Sequence, residues 1–351
     1  MAPTLQDVAD ACGVHRTTVS LALRNHPRIP EATRRRVQQT AERLGYRINP
    51  LVSALMQSRR TGKGVRHATL AFVTAYPTRY GWRPSHHDRP DFFPGAAARA
   101  SELGYSLEDF WLAEPGMTPK RFCDILSNRG IHGLIIARLP PGMHTLGLEW
   151  DRFSSVALGM TLRTPALHHV TENHFDTLLQ CMQRCHERGY RRVGLVYSEP
   201  DDSPSVGERW LGAFLARQHS LYPSADHLPP CPYRPDMEAA FRQWFMNERP
   251  DALVCTHARP VLRWLKTMKV AVPGDVGIVE LDNHPAPECS GVYHNPADIG
   301  ALAVEMLVGM LHRNETGLAR SQHDVRLRGT WREGSTLPNR QGACAGSQGQ
   351  R

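Results

Sequence analysis

From residue 68 onward, short apolar runs of strand type alternate with amphipathic runs of helix type. The strand-like runs lie at 68–73, 133–137, 193–197, 252–255 and 276–281, and the helix-like runs at 94–103, 175–188, 209–216 and 262–269. Strands separated by helices form mainly parallel sheets with helices on both faces. The pattern predicts a doubly wound α/β architecture, and its length exceeds one hydrophobic core, which favours two lobes that face a cleft.

The charge of the chain is concentrated before this region. The first 66 residues have twelve Lys or Arg and four Asp or Glu, a net charge of +8 that equals the net charge of the whole chain. A compact basic segment is typical of a domain that binds a polyanion such as DNA. A solvated basic tail is the alternative, unless the segment also has the pattern of a folded domain.

Residues 4–24 have the pattern of two short helices joined at a glycine. Apolar positions in 5–12 follow helical spacing behind Thr4, a typical N-cap residue, and Gly13 interrupts them. The small Ala9, the turn glycine and the apolar Val19 have the spacing of a helix-turn-helix. A third helical pattern follows from about residue 31, so the segment predicts a small all-helical DNA-binding module.

The segments LQDVADACGV, TTVSLAL, IPEATRRRV, LGYRINP and LVSAL resemble, in order and spacing, the headpiece and hinge helix of the lactose-repressor (LacI/GalR) family of bacterial regulators. Segments such as GYRRVGLVY and VAVPGDVGIVELDN resemble the family more loosely. The resemblance implies a helix-turn-helix headpiece at 1–48, a hinge helix and linker at 49–67, and a periplasmic-binding-protein-like effector domain of two lobes at 68–338. It implies chain crossings between the lobes near residues 171, 293 and 323. The Gly/Gln/Ser-rich composition of 339–351 predicts a disordered tail.

The resemblance also assigns the residues that contact DNA. Arg16 and Thr17 face base edges in the major groove, where arginine pairs with guanine, and Leu55 wedges between base steps in the minor groove. The expected DNA contacts are Thr4, Leu5, Arg16, Thr17, Thr18, Ser20, Arg24, Arg28, Asn49, Val52 and Leu55. Two residues depart from the family pattern, because His15 replaces the usual Ser or Thr cap and Val52 replaces the usual hinge alanine.

An effector site is expected in the cleft, at the carboxyl ends of the strands. By resemblance, Arg209 hydrogen-bonds effector hydroxyls or carboxylates and Asp282 accepts from sugar hydroxyls. Tyr76 and Trp82 are candidates for an aromatic platform, and His257 replaces a polar amide that is common at its position. A carbohydrate or a derivative is the expected effector, with a nucleobase-like or other metabolite, or no effector, as the alternatives.

Chemistry other than binding has little support in the sequence. The histidines at 86–87 and 168–169 are expected in loops, and no zinc-finger or H-E-x-x-H spacing is present, so no metal or other cofactor is expected. The sequence has no Walker A loop and no nucleophile elbow, and a catalytic site is therefore not expected. The scattered cysteines, the absence of a signal-peptide pattern and the lack of a long apolar run favour a cytoplasmic protein without a membrane segment.

These patterns predict a DNA-binding transcriptional regulator, a repressor by resemblance, that a small molecule controls and that is not an enzyme. Its expected partners are a pseudo-palindromic DNA operator, a sugar-like effector and a second copy of itself, because the tail lacks the leucine heptads of tetramers. Induction and co-repression both fit the sequence. A solute receptor would lack the headpiece, a sugar-metabolising enzyme would need catalytic residues, and an architectural DNA binder would leave the lobes without a role.

Overall fold

The computed structural model describes residues 4–23, 28–44, 46, 68–83, 91–198, 204–234, 236–282 and 288–340. The chain divides into two compact units, which are residues 1–68 with 310–315, and the remainder. The first unit contains the headpiece and the second contains two α/β lobes. The DNA contacts expected at Arg24, Asn49, Val52 and Leu55 lie outside the described residues, as do the histidines at 86–87.

The headpiece consists of α1 (Leu5–Cys12), α2 (Arg16–Leu23) and α3 (Glu31–Arg43). Thr4 and Asp7 form a capping box, in which the Asp7 carboxylate accepts the Thr4 N–H at 2.6 Å. Gly13 ends α1 with φ +61°, a left-handed conformation that favours glycine. The core between the three helices is formed by Val8, Ala9, Cys12, Val19, Ala22, Val37 and Ala41. The predicted helix-turn-helix is therefore confirmed.

The first lobe is built on a six-stranded sheet in the order β11-β5-β4-β3-β1-β2. Its strands are β1 (Ala68–Thr74), β2 (Tyr105–Trp111), β3 (Gly133–Ile136), β4 (Ser154–Leu158), β5 (His168–Glu172) and β11 (Asp324–Leu327). The pairs from β1 through β3, β4 and β5 to β11 are all parallel. Three helices belong to this lobe, namely α4 (Phe93–Glu102), α5 (Pro119–Asn128) and α10 (Pro296–Arg313). α4 and α10 cross so closely that a Cβ on Gly95 would lie 2.1 Å from the Ala297 carbonyl oxygen.

The second lobe repeats this plan with a sheet in the order β12-β10-β9-β8-β6-β7. Its strands are β6 (Val193–Ser198), β7 (Cys231–Tyr233), β8 (Ala252–Cys255), β9 (Gly277–Glu280), β10 (Ser290–Tyr293) and β12 (Thr330–Arg332). All pairs are parallel except β10 with β12. Its helices are α6 (His174–Glu187), α7 (Pro204–Leu221), α8 (Glu238–Glu248) and α9 (Ala258–Thr267). The predicted two-lobed, doubly wound architecture is confirmed.

Some local expectations differ from the structure. α7 extends beyond the predicted 209–216 at both ends, and α9 begins at Ala258 rather than 262, because Pro260 is tolerated in a first helical turn. The expectation that His168 and His169 lie in a loop is wrong, since both are buried in β5. Burial is possible because both rings are hydrogen-bonded: His168 Nδ1 accepts the His323 N–H at 3.0 Å, and His169 Nδ1 lies 2.7 Å from the Gly159 carbonyl oxygen.

The chain passes between the two sheets three times. The passages lie at residue 173, at 294–295 and at 328–329. The last one comes later than the expected position near 323, because Asp324–Leu327 first pairs along β5 in the first sheet. Arg340, which was expected in the disordered tail, packs on the second lobe with its guanidinium 4.5 Å from the Tyr190 ring centre. Residues 341–351 lie outside the described part.

A buried polar cluster lies at the first two passages, and we call it the crossing cluster: Arg138, Glu172, His174, Thr177 and His294. Arg138 donates to the Glu172 carboxylate at 2.6 Å, and His174 Nε2 lies 3.8 Å from the same carboxylate. Thr177 Oγ1 donates to the Asn173 carbonyl and lies 3.1 Å from His294 Nε2, so it accepts from that ring. The side chain of Glu172 is only 3% exposed, and this burial requires the cation beside it.

The charges of the crossing cluster shift one another's titration. Burial raises the pKa of Glu172, but the Arg138 guanidinium, with smaller contributions from His174 and His294, outweighs it and holds the pKa at about 2. Burial lowers the pKa of His174 to about 4; Glu172 opposes this change, and Arg138 adds to it. At neutral pH the cluster therefore contains a charged Arg138–Glu172 pair beside a neutral His174.

We expect His174 to make stability depend on pH. The unfolded chain binds a proton at His174 near its ordinary pKa of 6.5, whereas the folded chain binds it only near 4, so stability falls as the pH drops between these values. Relative to His174→Phe, which keeps a ring against Trp210, the wild type should lose about 2 kcal/mol of unfolding free energy between pH 7 and pH 5. Urea denaturation at several pH values measures this difference.

Glu172 stays ionised in this pH range, so its own titration does not interfere. His186→Phe, a substitution at an exposed histidine of the same helix, is the control for the removal of one imidazole from α6. Identical pH dependence of the wild type and His174→Phe would show that His174 does not titrate differently on folding.

Candidate functional site

The headpiece presents its candidate DNA contacts around the start of α2. Arg16 and Thr17 are exposed, and Thr18 and Ser20 are half-buried. Arg28 is exposed just before α3. The long arginine side chain at the first position of the helix can reach beyond the protein surface, which is the geometry that base reading in a groove requires.

The two expected contacts at the start of α1 offer different groups. The hydroxyl of Thr4 is already engaged in the capping box, and the side chain of Leu5 packs against the headpiece core. The free backbone N–H groups of the first helical turn are therefore the donors that this end can direct at a phosphate. Exposed Arg36 and Arg43 add positive charge to the headpiece surface, which favours binding to a polyanion.

His15 takes the position of the cap at the start of α2. Its carbonyl oxygen accepts the N–H of Thr18 at 2.8 Å, and its ring Nδ1 accepts the N–H of Thr17 at 3.3 Å. Nδ1 can accept only when it has no proton, so this contact requires a neutral ring with the proton on Nε2. The histidine thus replaces the usual hydroxyl cap with a nitrogen acceptor. Its other ring nitrogen is an N–H donor on an exposed side chain at the start of α2.

A second candidate site is the cleft between the lobes, where carboxyl ends of parallel strands meet. Arg138 follows β3 in the first lobe, and Asp282 follows β9 in the second. Asp282 is accessible to solvent and yet surrounded by protein: burial raises its pKa, with His294 opposing and Glu172 adding to the shift, and the Arg138 guanidinium also acts on it. Since Glu172 and Arg138 belong to the first lobe, these groups face Asp282 across the cleft.

Arg209 lies on α7 and is half-buried. Its Nη1 atom is buried and has no hydrogen-bond partner within the described part of the chain. Burial lowers the pKa of Arg209, nearby Arg326 adds to this effect, and Asp324 opposes it. A buried guanidinium nitrogen without an acceptor is costly, and a bound ligand that supplies one would remove the cost.

The other expected effector residues have different surroundings. Trp82 is buried in a cluster of aromatic side chains of the first lobe. Its ring centre lies 5.1 Å from that of Phe72 and 5.5 Å from that of Phe93. Its indole Nε1 is buried without a partner among the described residues. Tyr76 is also buried, and its carbonyl accepts from the Trp111 indole at 2.8 Å. His257 is exposed just before α9, with its ring centre 5.9 Å from that of Tyr233.

The residues of the crossing cluster are not among those predicted from the sequence. A usable signal exists, because Arg138, Glu172 and His294 stand at or directly after the ends of strands, where polar residues are unexpected in an apolar run. Among the described residues, no three His, Cys, Asp or Glu side chains lie together in a way that could hold a metal ion. None of the described helices combines the length and the apolar character needed to cross a membrane.

Comparison with protein families identifies both parts of the chain. Residues 4–49 match the bacterial regulatory proteins of the lacI family, and residues 182–337 match the periplasmic binding protein-like domain. The HTH-type transcriptional repressor CytR of Escherichia coli (strain K12) is 23% identical over 342 residues, which cover 93% of this chain and 95% of CytR. The regulator NtdR of Bacillus subtilis (strain 168) is 22% identical over 299 residues, which cover 80% of this chain and 83% of NtdR.

Solved structures share the fold over nearly the whole length. The Lac repressor bound to ONPG superposes with a TM-score of 0.54 at 16% identity, covering 96% of this chain and 100% of the repressor chain. The CelR–cellobiose complex superposes with a TM-score of 0.53 at 19% identity, covering 95% of this chain and 99% of CelR. The chain therefore combines a lacI-family helix-turn-helix domain with a periplasmic-binding-protein-like domain, and the relatives that it resembles over most of its length are DNA-binding regulators of the LacI family.

Proposed function

We propose that this regulator binds a pseudo-palindromic operator as a homodimer and represses transcription from it. The main supporting observation is Arg16, exposed at the start of a helix that the His15 cap and the headpiece core hold in place. Two headpieces in a two-fold dimer match two half-sites about one helical turn apart, or a multiple of that distance. CytR, similar over 93% of this chain, is itself a transcriptional repressor, which favours repression.

A small molecule that binds in the cleft controls operator affinity in this proposal. The unpartnered Nη1 of Arg209 and the solvent-accessible Asp282 supply a donor and an acceptor on the second lobe, as a polyhydroxylated ligand requires. The structures of CelR with cellobiose and of the Lac repressor with ONPG have carbohydrate-type ligands, which favours a carbohydrate or a derivative here.

The ligand acts by preferring one arrangement of the lobes over another. A ligand shifts an equilibrium between two states only by the difference of its affinities for them, and about 1–3 kcal/mol of coupling is typical. The chain passes between the lobes beside Glu172 and His294, so a change in lobe orientation has to be accommodated by the crossing cluster. Induction and co-repression both use this mechanism, with opposite signs.

The DNA-reading role of Arg16 is tested by substitution. The operator is first selected from random DNA with the wild-type chain. Arg16→Ala should then lower affinity for the selected operator by about 1–3 kcal/mol per half-site and relax the preference at one base pair, because arginine reads guanine through two hydrogen bonds. Fluorescence anisotropy with operators changed at single positions measures both effects.

The control is Arg36→Ala, which removes an exposed charge from α3 rather than α2. It should weaken binding to every sequence by a similar small factor, as loss of a phosphate contact does. Equal weakening of all DNA sequences by Arg16→Ala would contradict base reading at this residue.

The role of the cleft is tested by ligand-dependent unfolding of the full chain. A set of sugars, sugar derivatives and purines is screened, since a ligand at 100 times its Kd adds about 2.7 kcal/mol of stability. Asp282→Asn should strongly reduce the shift that an active compound produces, because the amide loses the negative charge and has a donor in place of one acceptor oxygen. Glu187→Gln, which changes an exposed residue at the C-terminal end of α6, should leave this shift unchanged. An active compound whose shift survives Asp282→Asn binds elsewhere, and the assignment of Asp282 would be wrong.

A further inference from the structure

His174 lies beside residues of both lobes. Arg138 belongs to the first lobe and reaches His174 through the shared carboxylate of Glu172, at 2.6 Å and 3.8 Å. The His174 ring centre is also 5.0 Å from that of Trp210 on α7, the helix that carries Arg209. Both guanidinium groups act electrostatically on His174. Each lobe therefore has one cation that acts on this buried imidazole.

Arg138 is held in a fixed orientation. The Glu172 carboxylate engages one end of the guanidinium, and the Phe92 ring centre lies 5.1 Å from its central carbon. The side chain also passes directly over Gly159, where an added Cβ would be only 2.8 Å from the Arg138 Nε. Because the Arg138 side chain is still 31% exposed, donors not used by Glu172 are available to a ligand.

Arg209 lacks a counter-ion of its own among the described residues. Asp324, the acid of another element that acts on Arg209, is already paired with Arg326 at 3.3 Å, and Glu172 is committed to Arg138. The remaining carboxylate that acts on it, Glu208, is exposed. A guanidinium that is half-buried and unpaired attracts an anion more strongly than a neutral hydroxyl, because bonds between two ionised groups are the stronger ones.

His174 provides a hydrogen-bond acceptor for a hydroxyl group of a ligand. Its side chain is more than nine-tenths buried, and its Nδ1 has no partner within the described part of the chain. The Glu172 carboxylate beside Nε2 favours the neutral tautomer with the proton on Nε2, so that Nδ1 is an acceptor. Asp282, also facing Arg138 and Glu172, is a second acceptor. Acceptors of this kind bind hydroxyl groups.

We propose that the effector is a hydroxylated organic anion, a sugar acid or a sugar phosphate, whose anionic group is held between Arg138 and Arg209. Its hydroxyl groups donate to His174 Nδ1 and to Asp282. This inference rests on the proposed function, in which the cleft binds an effector, and it narrows the effector to one charge class. A single anion that contacts a cation on each lobe would also favour the closed arrangement of the lobes.

The test uses the full chain and matched ligands on one carbon skeleton: D-glucose, D-gluconate, D-glucuronate and D-glucose 6-phosphate, then the same set built on D-galactose, with inorganic phosphate as the minimal anion. Thermal unfolding and calorimetric titration at constant ionic strength measure binding. We expect at least one anion to bind more tightly than its neutral parent by about tenfold or more. The carboxylate and phosphate members distinguish the two sources of the anionic group.

Arg138→Gln and Arg209→Gln should each reduce the anion's advantage over its neutral parent by about tenfold. Because Arg138→Gln leaves Glu172 buried without its cation, the double variant Arg138→Gln/Glu172→Gln is measured as well, and it should also lose the advantage. Arg152→Gln is the matched control, since Arg152 is 33% exposed and ion-paired with Asp124 in the first lobe, and it should leave binding unchanged.

Equal binding of neutral parents and anions would overturn the proposal, and so would an anion preference that survives both arginine substitutions. The same holds if anions stabilise the wild type no more than they stabilise the double variant Arg138→Gln/Arg209→Gln. Operator binding is measured in parallel. A neutral ligand that requires Asp282 and changes operator affinity would reject the anion class and keep the proposed function. Operator binding that no ligand of either class alters would count against effector control itself.

Discussion

The ion pair between Arg138 and Glu172 joins the ends of β3 and β5 at the point where the chain passes from the first lobe to the second. Glu172 ends β5, one residue before the chain first leaves the first lobe, and its carboxylate is buried. Removing one member of a buried pair costs about 3–5 kcal/mol, because the other charge is left without compensation. The carboxylate therefore fixes Arg138 beyond the end of β3 and sets the charge of the cleft wall that faces Asp282. Burial and the Arg138 guanidinium, against the effect of Glu172, keep His174 neutral beside it.

The two halves of the protein use opposite physical strategies. The headpiece is stabilised by a small apolar core and local caps, and it keeps Arg16, Arg36 and Arg43 exposed, as contact with DNA phosphates and base edges demands. The cleft instead keeps Glu172 buried and Arg138 and Arg209 half-buried, in surroundings where charges interact strongly and an unpaired charge is costly. The first arrangement suits a surface that recognises a large polyanion. The second suits a site that discriminates small ligands and responds to their charge.

Local signals in the sequence were sufficient for the headpiece and for the plan of the lobes. The capping residue Thr4, the left-handed Gly13 and the strand–helix alternation depend on neighbours within a few residues, and the structure confirms them. The crossing cluster depends on residues more than a hundred positions apart, such as Thr177 and His294, which only the fold brings together. His168 lies in a strand rather than in the predicted loop for the same reason, since its partner His323 is 155 residues away along the chain.

In the proposed mechanism the cleft and the headpiece are two linked sites of one regulator. Operator affinity with and without the most stabilising cleft ligand tests this linkage most directly. Linkage requires that the ligand change operator affinity by the same factor by which operator DNA changes ligand affinity. We expect a factor of about 5 to 150 in both titrations, lost in Asp282→Asn, whose ligand-free operator affinity should be unchanged. Equal operator affinity with saturated and empty cleft would contradict the account, because two uncoupled sites do not form a switch.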